Sequence, residues 1–471
     1  MQKKDVSMNL WNVANVLRDD GISYHGYIQE LTNILFLKFI GKLGIENQIP
    51  QKYTWDELAS KKGIELYNLY RELLLYLDIN GEGAIKEIYS NASTSIQSPI
   101  NLEKIIKAVD LISWEDIHNE DLGNIYDSLI EKSVMEVKTG MGQYYTPRVL
   151  INVLVKLIEP KLGEKCGDPA CGTFGFMIAA ANYIVNTSEF DVGVNDVLEK
   201  TSFWGCELVR DVYRIGVMNS MLHGLEANIL LGDVLSKVGE KMMNMDVILT
   251  SPPFGTKKGG EAPSIQNLPF ETLDKQLNFL QYVYQALNPT TGTARAAVIV
   301  PDYVLFDAGI GKKVRKDLME KCNLHTILRL PVGIFYARGV KANVLFFTRG
   351  KTDINNTKEV WVYDLRTDAP KIGRRNPLIE EHFKDFVDAY TSRNHENVEN
   401  NRWSTFTYQQ IKDREYNLDI GLIENDSIGM FQKYSNPIDS TEEAILKLNQ
   451  AVGLLNQVLV ELKVIEGDSN E

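Results

Sequence analysis

The chain has 471 residues, 44% hydrophobic and 24% charged, an ordinary globular composition that at roughly 150 residues per domain suggests about three structural units. Its 34 glycines and 15 prolines exclude collagenous and low-complexity readings, and the longest apolar runs, such as that around Ile34–Ile40, fall short of the ~20 residues that cross a bilayer. A formal charge of −13 excludes a protein that coats nucleic acid by bulk electrostatics.

The N-terminus, MQKKDVSMNLW, has no apolar signal-peptide core, so the expectation is a soluble, cytoplasmic protein that engages no membrane. Residues 1–130 read as a helical domain. Apolar positions recur at spacings of three and four through Leu10–Leu17, Tyr27–Phe39, Leu66–Leu77 and Ile105–Ile112, with polar breaks such as Asn80-Gly81 between them. Nothing in this part looks catalytic.

The texture changes after about Lys138. Short β-rich runs at Phe203–Cys206, Asn228–Leu231, Val247–Thr250, Ala296–Val300, Thr326–Leu330 and Val344–Thr348 alternate with amphipathic stretches. Leu208–Leu222, with Gly224 as its C-terminal cap, and Lys275–Leu287 are the clearest of these helices. The alternation predicts an α/β fold with a mostly parallel, doubly wound sheet, whose ligands sit at the carboxyl ends of strands. This domain is expected over 131–370, followed by an irregular extension over 371–439 that shows few clear periods.

The last element, 440–471, is again helical. Ile445, Leu448, Val452, Leu455, Leu459 and Leu462 form a 3-4-3-4-3 seam behind a Ser440-x-x-Glu443 capping box. From periodicity alone, packing on a partner and packing on its own domain stand about even.

Four cysteines (Cys166, Cys171, Cys206, Cys322) are too few for a disulfide framework, and without CxxC or HxxxH spacing no metal site is expected. Three short basic clusters, Lys257-Lys258, Lys312-Lys313 with Arg315-Lys316, and Lys371 with Arg374-Arg375, leave room for a local nucleic-acid groove despite the overall acidity.

Two motifs carry chemistry. In DPACGTFGF (Asp168–Phe176), Gly172 and Gly175 let backbone approach a ligand, while Asp168, ending a candidate first strand, can pair with an ammonium group. Glu207 ends the next strand, where a carboxylate can accept from two ribose hydroxyls, and Asp233 follows the third, within reach of an adenine amino group. One acid after each of three successive strands describes a site for a nucleoside joined to an amino acid. The second motif is Ser251-Pro252-Pro253-Phe254. Two prolines would remove ladder donors from a central strand, so they must lie beyond its end in a rigid, extended turn. A planar base could stack on Phe254 while its exocyclic amine donates to Ser251 and to the Pro252 carbonyl.

With these motifs in hand, the chain resembles the modification (M) subunit of type I restriction–modification systems, in the amino-methyltransferase class of S-adenosylmethionine-dependent DNA methyltransferases. GQYYTPR (Gly142–Arg148), DPACGTFGF, GCELVRDVYRIGVMNSMLHG, GDVLS, SPPFGTKKGG, KQLNFLQ, AAVIVPDYVLF and LPVGIFYARGVKANVLFF carry the resemblance over most of the chain. It implies a helical N-terminal domain, a Rossmann-like catalytic domain and a C-terminal helix that docks on a specificity subunit. The implied partners are duplex DNA, a specificity subunit that takes two modification subunits, and a restriction subunit.

Residue by residue, it implies that Gln143, Tyr144, Tyr145, Thr146, Pro147 and Arg148 form an upstream cofactor segment. Asp168, Gly172, Thr173, Phe174 and Gly175 would form the methionine-binding loop, with Glu207 at the ribose and Asp233 near the cofactor adenine. Ser251, Pro252, Pro253 and Phe254 would be the catalytic tetrapeptide. Two positions depart from the family pattern. Phe174 stands where Gly or Ala is usual, which implies a tighter loop. Ser251 stands where adenine enzymes carry Asn or Asp, and serine there is characteristic of enzymes that methylate the exocyclic amine of cytosine. Methylation of the adenine amine in duplex DNA is therefore the main expectation. The alternatives are cytosine-amine methylation, a non-catalytic subunit that binds DNA and cofactor, and a protein or RNA methyltransferase.

Overall fold

Local capping chemistry starts the first half of the chain. The computed structural model describes residues 3–45, 49–117, 119–136, 146–187, 200–254, 268–335, 341–366, 372–373, 376–392 and 402–420. Seven helices are described in the N-terminal part: α1 (Lys3–Ala14), α2 (Tyr24–Phe39), α3 (Trp55–Ser60), α4 (Gly63–Asn80), α5 (Gly83–Tyr89), α6 (Pro99–Asp110) and α7 (Asn119–Glu136). Ser23 caps α2 and Ser98 caps α6, each accepting from the amide three residues on, and α6 also opens on a proline whose missing N–H costs nothing there. Leu10, Leu31, Leu66, Leu74, Leu102 and Leu129 are buried in their common core. Helix α7 runs through residue 130 to Glu136.

The second part is a sheet flanked by helices. Its strands are β1 (Lys165–Asp168), β2 (Ser202–Glu207), β3 (Asn228–Leu231), β4 (Val247–Thr250), β5 (Arg295–Pro301), β6 (Cys322–Arg329), β7 (Ala342–Arg349), β8 (Glu359–Asp364) and β9 (Trp403–Thr407). The helices are α8 (Arg148–Ile158), α9 (Gly175–Thr187), α10 (Arg210–Leu222), α11 (Lys275–Ala286), α12 (Tyr303–Phe306), α13 (Ile310–Lys321), α14 (Lys384–Ser392) and α15 (Tyr408–Asp413). The strand order is β3-β2-β1-β4-β5-β7-β6-β8-β9. The first five strands in that order pair in parallel, β7 runs antiparallel between β5 and β6, β8 returns parallel to β6, and β9 closes the edge antiparallel. The expected doubly wound α/β sheet is present. β4 and the centre of β5 are buried throughout, as strands covered on both faces must be.

Helix α10 belongs to both parts. Ile215, Val217, Met218 and Leu222 on it are buried in the same core as the N-terminal helices, and α10 packs on α2, α5 and α7. Residues Met1–Asp419 form one compact unit. Gly224, at φ +70°, ends α10 as expected: its amide donates to the Met221 carbonyl and the Leu225 amide to that of Ser220, the two bonds of a Schellman motif. No described helix is long and apolar enough to cross a membrane. The 440–471 helix, Lys257-Lys258, Lys371 and Arg374-Arg375 lie outside the described residues.

Of the basic cluster at Lys312–Lys316, Lys313 and Lys316 are exposed, whereas Arg315 and Lys312 are tied into the fold. Arg315 is 1% exposed, and its guanidinium donates to the carbonyls of Tyr416 (2.6 Å), Val304 (2.9 Å) and Asp307 (2.8 Å). Burial lowers its pKa to about 10, against the Asp307 charge, which acts to raise it. Lys312 pairs with Glu415 at 3.3 Å, so this cluster clips 415–416 against α13. Arg315→Met would leave three buried carbonyls unsatisfied and should destabilise the fold by about 3 kcal/mol or more. A lowered denaturation midpoint, with early proteolysis between residues 402 and 418, is the expected result.

Candidate cofactor and catalytic site

The sheet's neighbours diverge at β1: β2 lies on one side and β4 on the other. A crevice opens outside the carboxyl ends of strands where their crossovers part in this way. Asp168 ends β1, Glu207 ends β2, Asp233 follows β3, and Ser251 follows β4, so all four stand at that edge.

Two of the acids are almost fully withdrawn from water. Asp168 is 2% exposed and accepts only from the Ala170 amide at 3.0 Å among its described hydrogen bonds. Burial pushes its carboxyl from 3.8 up to about 7, and the Glu207 charge adds to this, against the Ala170 amide and the neighbouring Thr250 hydroxyl. That hydroxyl is itself buried. Glu207 accepts from the Val209 amide at 2.7 Å and the Gly172 amide at 3.1 Å, and burial raises its pKa as well. Asp233 is half-buried and accepts from Leu235 N at 2.9 Å. The three acids converge on one thiol: burial first, then the charges of Glu207, Asp233 and Asp168, push Cys206 up to about 12.

The loop between Asp168 and Gly175 is stitched to β2 and pressed by α10. The Cys171 amide donates to the Cys206 carbonyl at 3.1 Å, and Gly172 is bound to Glu207. A side chain on Gly216 of α10 would stand 2.9 Å from the Gly172 carbonyl, so glycine there permits the close approach. Around Gly172 itself, at φ +52°, the side-chain direction is open. Among the described residues, its chain neighbours aside, no atom lies within 4 Å of that position.

Phe174 is the surprise of this loop. It adopts φ +68°, which explains why glycine would suit the position, and yet its ring is fully buried. The ring fills space that a β-carbon on Gly205 would enter, at 2.8 Å from Phe174 Cε2. Its ring belongs to the core, because β2 offers a hole at Gly205, and only its backbone is left to the loop. Arg148 supports the loop from α8. It donates to the Gly175 carbonyl at 3.1 Å and forms an ion pair with Asp127 of α7, bracing the loop from behind. Thr146 is buried and Pro147 is the N-cap residue of α8. Gln143, Tyr144 and Tyr145 lie outside the described residues.

The tetrapeptide leaves β4 at Thr250 and has no regular secondary structure, in keeping with two prolines that cannot donate to a ladder. Gln276, in the first turn of α11 and fully buried, donates to the Pro253 carbonyl at 2.7 Å and weakly to that of Pro252 at 3.4 Å. Asp274 caps α11, and Tyr303 donates to its carboxylate at 2.8 Å. Phe335, from the turn after β6, meets Phe254 edge-on at 5.6 Å between centroids and 84° between planes. Sequence reasoning missed Gln276 and Phe335 as supports, although both lie inside quoted motifs. It also missed Leu208, which is 57% exposed directly after Glu207 and precedes the helix because Glu207 takes the Val209 amide.

The N-6 DNA Methylase family matches residues 117–427. The StySPI type I restriction enzyme methylase subunit of Salmonella potsdam is 36% identical over 98% of this chain and 96% of its own. The EcoKI methylase subunit of Escherichia coli strain K12 is 35% identical over 99% of this chain and 95% of its own. The crystal structure of the EcoKI M protein aligns with a TM-score of 0.54 at 33% identity, covering 97% and 96% of the two chains. A chain from a study of type I R-M complex assembly and conformational transition aligns with a TM-score of 0.77 at 26% identity, covering 98% and 99%. The fold and site define an S-adenosylmethionine-dependent methyltransferase. The chain belongs to the N-6 DNA methylase family, among the methylase subunits of type I restriction enzymes.

The Phe174–Gly205 fit is open to a direct check. Phe174→Gly relieves the left-handed backbone but empties the hole, and should destabilise the fold by about 2–4 kcal/mol net. Gly205→Ala should cost stability in the native background and less beside Phe174→Gly, with the remainder owed to Cys171, whose Sγ and Cβ would still lie 2.8 and 2.9 Å from the new methyl. Denaturation midpoints of the two singles and the double measure this coupling.

Proposed function

We propose that this chain methylates the exocyclic amine of adenine in duplex DNA, with S-adenosylmethionine held at the carboxyl ends of β1–β3 and the target base at Ser251–Phe254. One observation supports the cofactor half most directly. Asp168 and Glu207 are buried side by side, and among the described residues no cationic side chain pairs with either. A buried carboxylate whose pKa is pushed to about 7 calls for a cation or a set of donors. An amino acid's ammonium suits Asp168, ribose hydroxyls suit Glu207, and an adenine amino group suits Asp233. The open side of Gly172 leaves room for the ligand, and Leu208 offers an exposed apolar face beside Glu207. Bound there, S-adenosylmethionine supplies an electrophilic methyl group on a positively charged sulfur.

The protein's own part is positioning. The target amine is a poor nucleophile because its lone pair is delocalised into the ring. Ser251 Oγ and the Pro252 carbonyl accept its two hydrogens and favour a pyramidal nitrogen with a usable lone pair. Gln276 and the two prolines hold these acceptors before the base arrives, so little reorganisation is left for the transition state. Phe254, braced by Phe335, stacks on the base, which must leave the duplex to reach this turn.

The family is that of N-6 methylases, which favours adenine over the cytosine reading that Ser251 raised. The 35–36% identity to methylase subunits along the whole chain favours an active DNA enzyme over a cofactor-binding shell or a protein or RNA methyltransferase. In the same reading the chain works in the cytoplasm with a specificity subunit, two copies to one, and with a restriction subunit, docking through the 440–471 helix.

Incorporation of labelled methyl into duplex DNA, with the specificity subunit present, tests the activity. Digestion of the product should yield N6-methyladenine, and methylcytosine in its place would overturn the choice of base. Ser251→Asn should preserve or raise adenine methylation.

Cofactor binding should depend on pH with a defined sign. Asp168 rises from 3.8 to about 7 in the cofactor-free fold, so the native state holds a proton that the unfolded chain has lost. Stability contributed by this group is therefore present at low pH and lost as pH rises through about 7. An ammonium ligand needs the ionised form. Affinity should fall as pH drops from about 7.5 to about 5.5, approaching tenfold per unit well below 7. Calorimetry of Asp168→Asn should show weak binding with most of that slope gone, and any remainder belongs to Glu207.

A further inference from the structure

Asp127 lies on α7, outside every motif of the methyltransferase site. Its carboxylate forms an ion pair with Arg148 and accepts from Asn219 Nδ2 at 3.0 Å, while His223 Nε2 stands 3.6 Å from its other oxygen. The first two partners each reach on to the cofactor loop. Arg148 Nη1 donates to the Gly175 carbonyl at 3.1 Å, and Asn219 Nδ2 to the Thr173 carbonyl at 2.9 Å. Those two carbonyls flank Phe174, the residue held at φ +68°. The strained point of the loop is thus pinned on both sides by side chains that share one carboxylate.

The contact between the elements that carry these groups is tight. A β-carbon on Gly123 of α7 would lie 2.5 Å from the His223 ring, and the His223 ring nitrogen Nδ1 is 2.9 Å from the Asn219 carbonyl. Asp127 and Arg148 are both largely buried, with side-chain exposures of 18% and 22%, so water screens the pair little.

We infer that Asp127 is a positioning residue through which the helical N-terminal part sets the affinity of the loop for S-adenosylmethionine. This rests on reading Asp168–Gly175 as the cofactor loop. Without the carboxylate, Arg148 and Asn219 lose the anchor that aims their donors, and the carbonyls of Thr173 and Gly175 are free to rotate with Phe174. Coupling between binding sites is reciprocal, so cofactor binding in turn tightens α7 against α10.

The test uses the full chain, with the specificity subunit and duplex DNA for turnover. Asp127→Ala should raise the calorimetric Kd and the KM for S-adenosylmethionine about tenfold, leaving kcat at saturating cofactor within about twofold, the range that a mutation acting through a coupled network reaches. Asp127→Asn, isosteric and able to accept one bond, should fall between, and it carries the test if the alanine variant does not fold. Asp127→Ala with Asn219→Ala should lose no more affinity than Asp127→Ala alone. Cofactor should also slow amide exchange over residues 119–136 in the native chain and not in the variants. A lowered melting temperature with unchanged Kd and KM would make Asp127 merely structural and overturn the inference. Asp168→Asn and Glu207→Ala separate the two failures. If they lose binding while the Asp127 variants keep it, only this inference falls; if they also bind normally, the loop is not the cofactor site.

Discussion

Two carboxylates buried at one sheet edge constrain everything around them. Asp168 and Glu207 end adjacent parallel strands, so their charges are forced into proximity by the register that pairs Asp168 with Gly205. Water cannot solvate them there, and the protein answers with main-chain amides from Ala170, Gly172 and Val209. Supplying those amides dictates the loop's path, including the left-handed turn at Gly172 and the delayed start of α10 at Arg210. Amide dipoles only partly offset the desolvation of the acids, which is why their pKa values stay raised. A site in this state is poised for a cationic, hydroxyl-bearing ligand and is less stable at neutral pH without one.

A loop under that demand needs external support, and the helical part provides it. Its core is completed by α10, the helix that also touches the Gly172 and Thr173 carbonyls. The N-terminal helices are therefore not an appendage to a finished Rossmann-like domain. They share apolar packing with it, and Asp127 carries a polar connection across the same boundary. Burial of Ile215, Met218 and Leu222 holds α10 in place, and the carboxylate then directs two donors at the backbone that the site depends on.

This division explains which features could be read from the sequence. β3 and β4 were expected at the residues where they occur, because a continuous apolar run ending in Gly-Asp or Ser-Pro-Pro marks both the strand and its end. The placement of the acids and the tetrapeptide at strand ends was readable because it is local to the runs that form β1–β4. The β7 strand was expected over Val344–Thr348, but its antiparallel pairing was not, since pairing direction leaves no mark within a strand. Nor were β8 and β9: β9 is an edge strand, half-exposed along its length, with no apolar face to show. Arg315 reads as a surface charge in a basic run, and only the fold reveals the three carbonyls that bury it. Phe174 and Gly205 lie about thirty residues apart, so their complementarity exists only once β1 and β2 pair. Asp127 is further still from the residues it serves, in a segment where helical periodicity hides a polar position.

The serine at position 251 is also clearer against this background. A carboxamide fixes an acceptor by its planarity, whereas a hydroxyl rotates and must be aimed by its surroundings. The surroundings here are stiff: two prolines restrict the backbone, Gln276 holds the Pro253 carbonyl from a fully buried position, and Phe335 braces Phe254 edge-on. In the proposed mechanism the best-fixed acceptor is then the Pro252 carbonyl, a main-chain group that no side-chain substitution removes. Gln276 leaves that carbonyl available, since its strong bond goes to Pro253 and only a long contact reaches Pro252. A turn held so firmly places less demand on residue 251, and a short hydroxyl can serve where a less supported loop would need the amide.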